Sequence, residues 1–368
     1  MPESLGQVET QRVVLFTEDD PLVLESGATI APVEVAFETY GTLAPERDNV
    51  VFICHALTGD AHAAGHHGEP ERPGWWDTLI GPGKPVDTDR FFVVSPNLLG
   101  GCKGTTGPSS MDPSTGRPYG LRFPHFTVSD LVTVHQRLLA QLGITRVHGA
   151  IGGSLGGMQV LQWAIDHPGE VDRGVLVCAS ARLTAQNIAL SAVARTSITG
   201  DEHFAGGDYY DTENAPAVGL SVARMLAHIT YVSEESLGLK FGRERISTVP
   251  TFEIDFQVES YLDYQGRSFL ERFDANTYLY LTRVMDYFDP FADEDASVAG
   301  LAASETSFLI VAFDSDWRFP TAHSAEIARV VERSGRPFVF EEVASPWGHD
   351  SFLLDVPQYH ELVTNFLA

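Results

Sequence analysis

Ser154 stands among glycines, Gly152-Gly153-Ser154-Leu155-Gly156-Gly157, in the G-x-S-x-G spacing of a sharp strand-to-helix turn that presents a hydroxyl to attack. Ahead of it, Arg146-Val147-His148-Gly149-Ala150-Ile151 reads as a short buried strand. Behind it, Met158, Leu161, Trp163, Ala164 and Ile165 recur at helical spacing until Asp166-His167-Pro168 stops the helix. Such a turn holds the serine in an unfavourable backbone conformation, and glycines two residues to either side let strand and helix close around it. An ordinary glycine-rich turn shares the five-residue pattern, but the strand and helix flanking this one favour a nucleophile.

A serine hydroxyl becomes a useful nucleophile only beside a base, and the base needs an acid to orient it. In one chain order of this machinery serine comes first, then acid, then histidine, each after a strand. The apolar run Phe308-Leu309-Ile310-Val311-Ala312-Phe313 ends in Asp314-Ser315-Asp316-Trp317, so Asp316 is the candidate acid and Asp314 its alternative. Either carboxylate would also serve as a turn or helix cap. The last strand, residues 338–343, leads into Ser345-Pro346-Trp347-Gly348-His349-Asp350, which makes His349 the candidate base.

A developing oxyanion needs two backbone donors, one of them from the residue after the nucleophile, here Leu155. The other is expected from Cys54-His55-Ala56-Leu57-Thr58-Gly59, at the Leu57 amide with Thr58 as the fallback. His55, His62, His66 and His67 lie near Asp60 and Glu69, but no helical H-E-x-x-H arrangement accompanies them. They read as a solvated loop, and no metal is expected.

Elements able to position these residues recur along the chain. Val33-Glu34-Val35-Ala36-Phe37 alternates like a half-exposed strand, whereas Val50-Val51-Phe52-Ile53-Cys54 and Phe91-Phe92-Val93-Val94 suit a buried parallel sheet. Further strands at residues 173–178, 308–313 and 338–343, with helices at 127–142 and 321–334, give an α/β organisation. The alternation breaks between about residues 182 and 300, the mark of an inserted helical cap over a core of residues 1–181 and 301–368. A cap of this kind would exclude water from the serine.

The 368 residues carry 50 acidic and 24 basic side chains, a formal charge of −26. That field repels nucleic acid and anionic membranes, so neither is an expected partner, and an anionic substrate would need local cations. Cys54, Cys102 and Cys178 are scattered without a C-x-x-C pair. No signal-like or membrane-length apolar run is present, and a cytoplasmic location is expected.

Taken together, the chain resembles the homoserine O-acetyltransferases of the α/β-hydrolase superfamily. The resemblance spans most of its length and rests chiefly on His55-Ala56-Leu57-Thr58-Gly59-Asp60-Ala61-His62, Asn97-Leu98-Leu99-Gly100-Gly101-Cys102-Lys103-Gly104-Thr105-Thr106-Gly107-Pro108, the serine turn, Asp314-Ser315-Asp316 and Gly348-His349-Asp350. It implies an α/β-hydrolase fold with a mostly parallel sheet and a helical cap (lid), and it favours Asp316 over Asp314. Arg224 and Asp350 match residues that bind homoserine in the family, and Thr58 and Tyr231 are placed in the same pocket. The implied reaction is acetyl transfer from acetyl-CoA to L-homoserine through an acetyl-serine, feeding methionine synthesis, with no cofactor and a homodimer as the assembly. A succinyl donor would need a cation for its extra carboxylate, and Lys103 is the cation considered for it. A serine acceptor keeps the same machinery. A simple esterase would need no Arg224–Asp350 clamp, and a silent binding scaffold would be expected to lack a triad member.

Overall fold

The computed structural model describes residues 4–68 and 72–368. One sheet is built from β1 (Gln11–Phe16), β2 (Val33–Tyr40), β3 (Val50–Cys54), β4 (Phe92–Pro96), β5 (Val147–Gly153), β6 (Val171–Val177), β7 (Ser307–Phe313) and β8 (Phe338–Val343). Their order across the sheet is β1-β2-β4-β3-β5-β6-β7-β8. From β4 onward every pairing is parallel, while β1 and β2 are joined antiparallel at one edge. Burial on both faces explains why the central strands are continuous Val, Ile and Phe runs instead of alternating ones.

Helices α1 (Val128–Gln141) and α2 (Leu155–Asp166) cover one face together with α8 (Glu294–Ala303) and α9 (Thr321–Arg333). The helix α10 (Pro357–Leu367) packs on the other. The core is therefore two apolar layers. Phe52 and Trp163 lie in one, and Trp76, Phe313 and Tyr359 in the other. Thr127 starts α1 with a reciprocal capping box: its side chain accepts from Asp130 N, and the Asp130 carboxylate accepts from Thr127 N.

Between β6 and β7 the chain leaves the sheet to form α3 (Ala185–Thr199), α4 (Ala217–Tyr231), α5 (Glu234–Phe241), α6 (Gln257–Leu270) and α7 (Ala275–Tyr287). Helix α4 packs on both α3 and α6. The cap boundary expected at residue 300 falls inside α8, which lies against α2 and α9 and so covers the sheet. Among the described residues no helix is long and apolar enough to cross a membrane.

One expectation about the strands changes. Residues 33–37 are not half-exposed, because loop residues 97–106 cover the face of β2 opposite Val33, Val35 and Phe37. The Ala36 amide donates to Thr105 Oγ1 at 3.0 Å, and Thr106 N donates to the Glu34 carbonyl at 2.9 Å. Further along the strand Glu38 is fully buried, in contact with Thr10, Tyr40, His62 and His67.

Candidate active site

The loops at the carboxyl ends of β3, β5, β7 and β8 converge, as open parallel sheets require of their binding sites. Ser154 follows β5 and caps α2 with φ 56° and ψ −122°, a strained conformation for a side-chain-bearing residue. The glycines make it affordable in space. A Cβ on Gly152 would stand 2.2 Å from the Gly156 carbonyl carbon, and one on Gly156 would stand 2.0 Å from the Cys54 carbonyl oxygen. Ser154 itself is 7% exposed.

Asp316 and His349 meet from the two adjacent loops. His349 Nδ1 lies 2.6 Å from Asp316 Oδ2, and Asp316 Oδ1 accepts from Phe319 N at 2.9 Å. A carboxylate only accepts, so Nδ1 carries the proton and Nε2 is left as the basic nitrogen. Asp314, the alternative acid, is exposed and instead accepts from Ser345 N at 2.9 Å, bracing one loop against the other. Ser315 completes that brace by donating to the Ser345 carbonyl and accepting from Gly348 N. Cys178 also approaches Asp316 and His349, but burial, reinforced by the Asp316 charge, raises its thiol well above the usual range and keeps it neutral.

Ser154, His349, Asp350, Leu57, Thr58 and Tyr231 line one small cavity of about 40 Å³. Leu155 is the first residue of α2, where the amide has no partner within the helix. The loop bearing Leu57 is held by His55, which is 1% exposed: its Nε2 accepts from Leu98 N at 3.1 Å while Nδ1 donates to the Ala56 carbonyl at 2.7 Å. Burial lowers the His55 pKa and favours the neutral ring that this pattern needs. Gln159 links His55 to α2, donating to the carbonyls of both His55 and Leu155.

The histidine-rich segment is therefore not the solvated loop expected from sequence. His62 and His67 stack at 3.7 Å between ring centroids and converge on Glu38, not on Asp60; Glu69 lies outside the described residues. His62 Nδ1 donates to Glu38 Oε2 at 3.1 Å and Nε2 to the Arg72 carbonyl at 3.0 Å. Both partners are acceptors, so the ring is an imidazolium. Burial works against that charge, but the Glu38 hydrogen bond and the Arg72 carbonyl outweigh it and raise the His62 pKa. Burial likewise opposes the Glu38 charge, yet His62, Thr10 and Tyr40 together lower its pKa. The Tyr40 hydroxyl donates to Glu38 at 2.8 Å and accepts from Ala63 N at 2.9 Å, tying this pair to the loop that carries Leu57.

Removing one partner of a buried pair strands the other. Glu38→Ala is expected to cost about 3 kcal/mol of stability, read as a lower urea midpoint at unchanged m. An unchanged midpoint would show the pair to be energetically idle.

The residues expected to bind the acceptor lie near one another. Arg224, on α4 and 8% exposed, stacks its guanidinium 4.7 Å from the Phe269 ring centroid, with Nη1 3.5 Å from Thr58 Oγ1. Its Nε is buried without a partner. Loss of solvent raises the Asp350 carboxyl to about 6, against the lowering influence of His349 and Arg224. The Tyr231 ring centroid lies 5.8 Å from that of His349.

Sequence reasoning missed Arg318. Two residues beyond Asp316, it is 9% exposed and lines a second cavity with Leu57, Tyr231 and Tyr278. Its guanidinium lies 6.0 Å from the Phe319 ring centroid, and it forms no ion pair with any described carboxylate. A cation in the loop after a candidate catalytic acid was the available signal.

Residues 49–356 match the family described as the alpha/beta hydrolase fold. A homoserine O-succinyltransferase of Nocardioides sp. is 58% identical over 370 residues, covering 100% of both chains. A homoserine O-acetyltransferase of Methanosphaerula palustris is 48% identical over 98% of this chain and 74% of its own. Among solved structures, the homoserine O-acetyltransferase from Bacillus anthracis superposes with a TM-score of 0.90 at 29% identity, covering 98% of this chain and 97% of that one.

Proposed function

The chain belongs to the homoserine O-acyltransferases of the α/β-hydrolase fold, and from that premise we propose that it transfers a succinyl group from succinyl-CoA to the hydroxyl of L-homoserine. The observation that carries the donor assignment is Arg318. A buried guanidinium without an ion-pair partner, in a cavity sharing Leu57 and Tyr231 with that of Ser154, suits a carboxylate at the far end of the acyl group. An acetyl group, the donor expected from the sequence, would give this guanidinium no direct partner. The Nocardioides relative, a succinyltransferase, supports the same reading.

In this mechanism Ser154 Oγ attacks the thioester carbonyl while His349 Nε2 takes its proton, and the Leu155 and Leu57 amides receive the oxyanion. Collapse breaks the C–S bond, His349 gives the proton to the departing thiolate, and succinyl-Ser154 remains. Homoserine enters with its carboxylate on Arg224 and its ammonium on Asp350. His349 removes the proton from the γ-hydroxyl, the alkoxide attacks the acyl-serine, and the returning proton restores Ser154. Water competes for the same ester, so the small cavity and the positioning of homoserine determine the product.

The clamp has a pH signature. Asp350 is a carboxylate only above about 6, whereas the homoserine ammonium stays charged throughout this range. Asp350→Asn is expected to lower kcat/KM for homoserine about 100-fold at pH 8. The wild-type advantage should then shrink about tenfold per unit as pH falls below 6. A constant ratio from pH 8 to 5 would remove Asp350 from ammonium binding.

Thiol release tests the reaction itself, with succinyl-CoA or acetyl-CoA offered against L-homoserine, L-serine or no acceptor. Homoserine-dependent release from succinyl-CoA is expected. Preference for acetyl-CoA would change the donor, and equal release without acceptor would make the protein a hydrolase.

A further inference from the structure

A cleft of about 720 Å³ meets the Ser154 cavity at Thr58, which lines both. Four arginine and lysine side chains converge on it from separate segments: Arg12 on β1, Arg72, Lys103 in the loop after β4, and Arg272 between α6 and α7. Asp60 is the one carboxylate in its described lining. In a chain with 50 acidic and 24 basic residues, such a concentration of positive charge is against the average.

Much of that charge is uncommitted. Arg72 and Lys103 are exposed and form no ion pair with a described residue, and only Arg12 is engaged, at 3.1 Å from Glu34. Arg272 reaches inward, donating to the Thr58 carbonyl at 3.1 Å while stacking 5.0 Å from the Phe269 ring centroid. It thereby joins the cleft to the loop that carries Leu57. Loss of solvent and the Arg224 charge lower the Arg272 pKa to about 10, which still leaves it cationic at neutral pH.

We propose, resting on the acyl-CoA reading above, that this cleft seats the phosphorylated nucleotide end of the donor. Arg72, Lys103 and Arg12 face its phosphates, and the uncharged arm passes Arg272 and Thr58 to bring the thioester to Ser154. The long-range field of the protein opposes a polyanionic donor, so local cations must supply the attraction and the orientation. Phosphate also distinguishes this subsite from the Arg318 cavity, which receives only the acyl carboxylate.

The test uses the full-length protein carrying Arg72→Glu and Lys103→Glu together, since neither side chain supports another described charge. Calorimetric titration with CoA is expected to show Kd raised about tenfold or more, the loss of two charge-assisted contacts with a solvent-exposed polyanion. In turnover, kcat/KM for succinyl-CoA should fall to match. The succinyl thioester of N-acetylcysteamine, which has no phosphate, should react within about twofold of the wild-type rate. Unchanged CoA binding, or equal losses with both donors, would overturn the assignment. If the wild type binds CoA in a manner sensitive to these substitutions yet transfers nothing to homoserine, the cleft stands and the transferase reading falls. If transfer is normal and the variant binds CoA as tightly as wild type, the reverse holds.

Discussion

Replacing Ser154 with alanine is expected to lower kcat for homoserine-dependent CoA release at least about 10⁴-fold, because the acyl group is carried between donor and acceptor on the Ser154 hydroxyl. The substitution is gentle to the fold. The backbone at φ 56° is imposed by the close approach of Gly152, Gly156 and the Cys54 carbonyl, and alanine has no greater difficulty there than serine. Two readouts separate lost chemistry from lost structure. Intact-protein mass spectrometry of wild type with succinyl-CoA alone should show one added succinyl group, absent from the variant, while the thermal midpoints should agree. Retained homoserine-dependent release by Ser154→Ala would remove the covalent intermediate from the mechanism.

Arg318→Leu is expected to invert donor preference. A carboxylate meeting a buried guanidinium forms a charge-assisted pair, and truncating one side of such a pair costs about 2–5 kcal/mol. The corresponding fall in kcat/KM for succinyl-CoA is about 10²-fold or more. Acetyl-CoA has nothing to lose at this position, so its kcat/KM should hold or rise. Arg318→Lys keeps the charge without the fork and should recover part of the succinyl activity. A merely structural role would lower both donors together, because Arg318 also places its positive charge near Asp286, Tyr231 and Tyr278. Equal losses with both donors would therefore contradict the donor assignment.

The two kinds of residue in these predictions were unequally visible in the sequence. Ser154 is marked locally: its glycines, preceding strand and following helix all lie within a short stretch, and each has a steric purpose the structure displays. His349 and the Asp314–Asp316 pair are marked by chain order after apolar strands. Spacing alone does not separate the two aspartates, since both follow β7 closely; the family resemblance favoured Asp316, and their burial and partners differ. One is exposed and braces Ser345, and the other is enclosed against His349. Arg318 carries no periodic or motif signal. Its significance arises from α3, α4 and α7 of the cap closing over it, a tertiary event that spacing does not encode.

Glu38 was hidden differently. On an alternating strand it reads as an outward-facing acid, and only the loops that cover β2 turn it into the buried partner of His62. The broad α/β alternation and the interruption by helices were legible because they depend on local periodicity. Where the interruption ends was not, because α8 looks the same in sequence whether it covers the sheet or the site.

The most direct test offers the wild-type protein equimolar succinyl-CoA and acetyl-CoA with L-homoserine and identifies the products by mass spectrometry. O-succinylhomoserine as the dominant product, formed only when homoserine is present, is the predicted result. Predominant O-acetylhomoserine would contradict the role given to Arg318, and free acyl acid formed equally without homoserine would contradict the transferase itself.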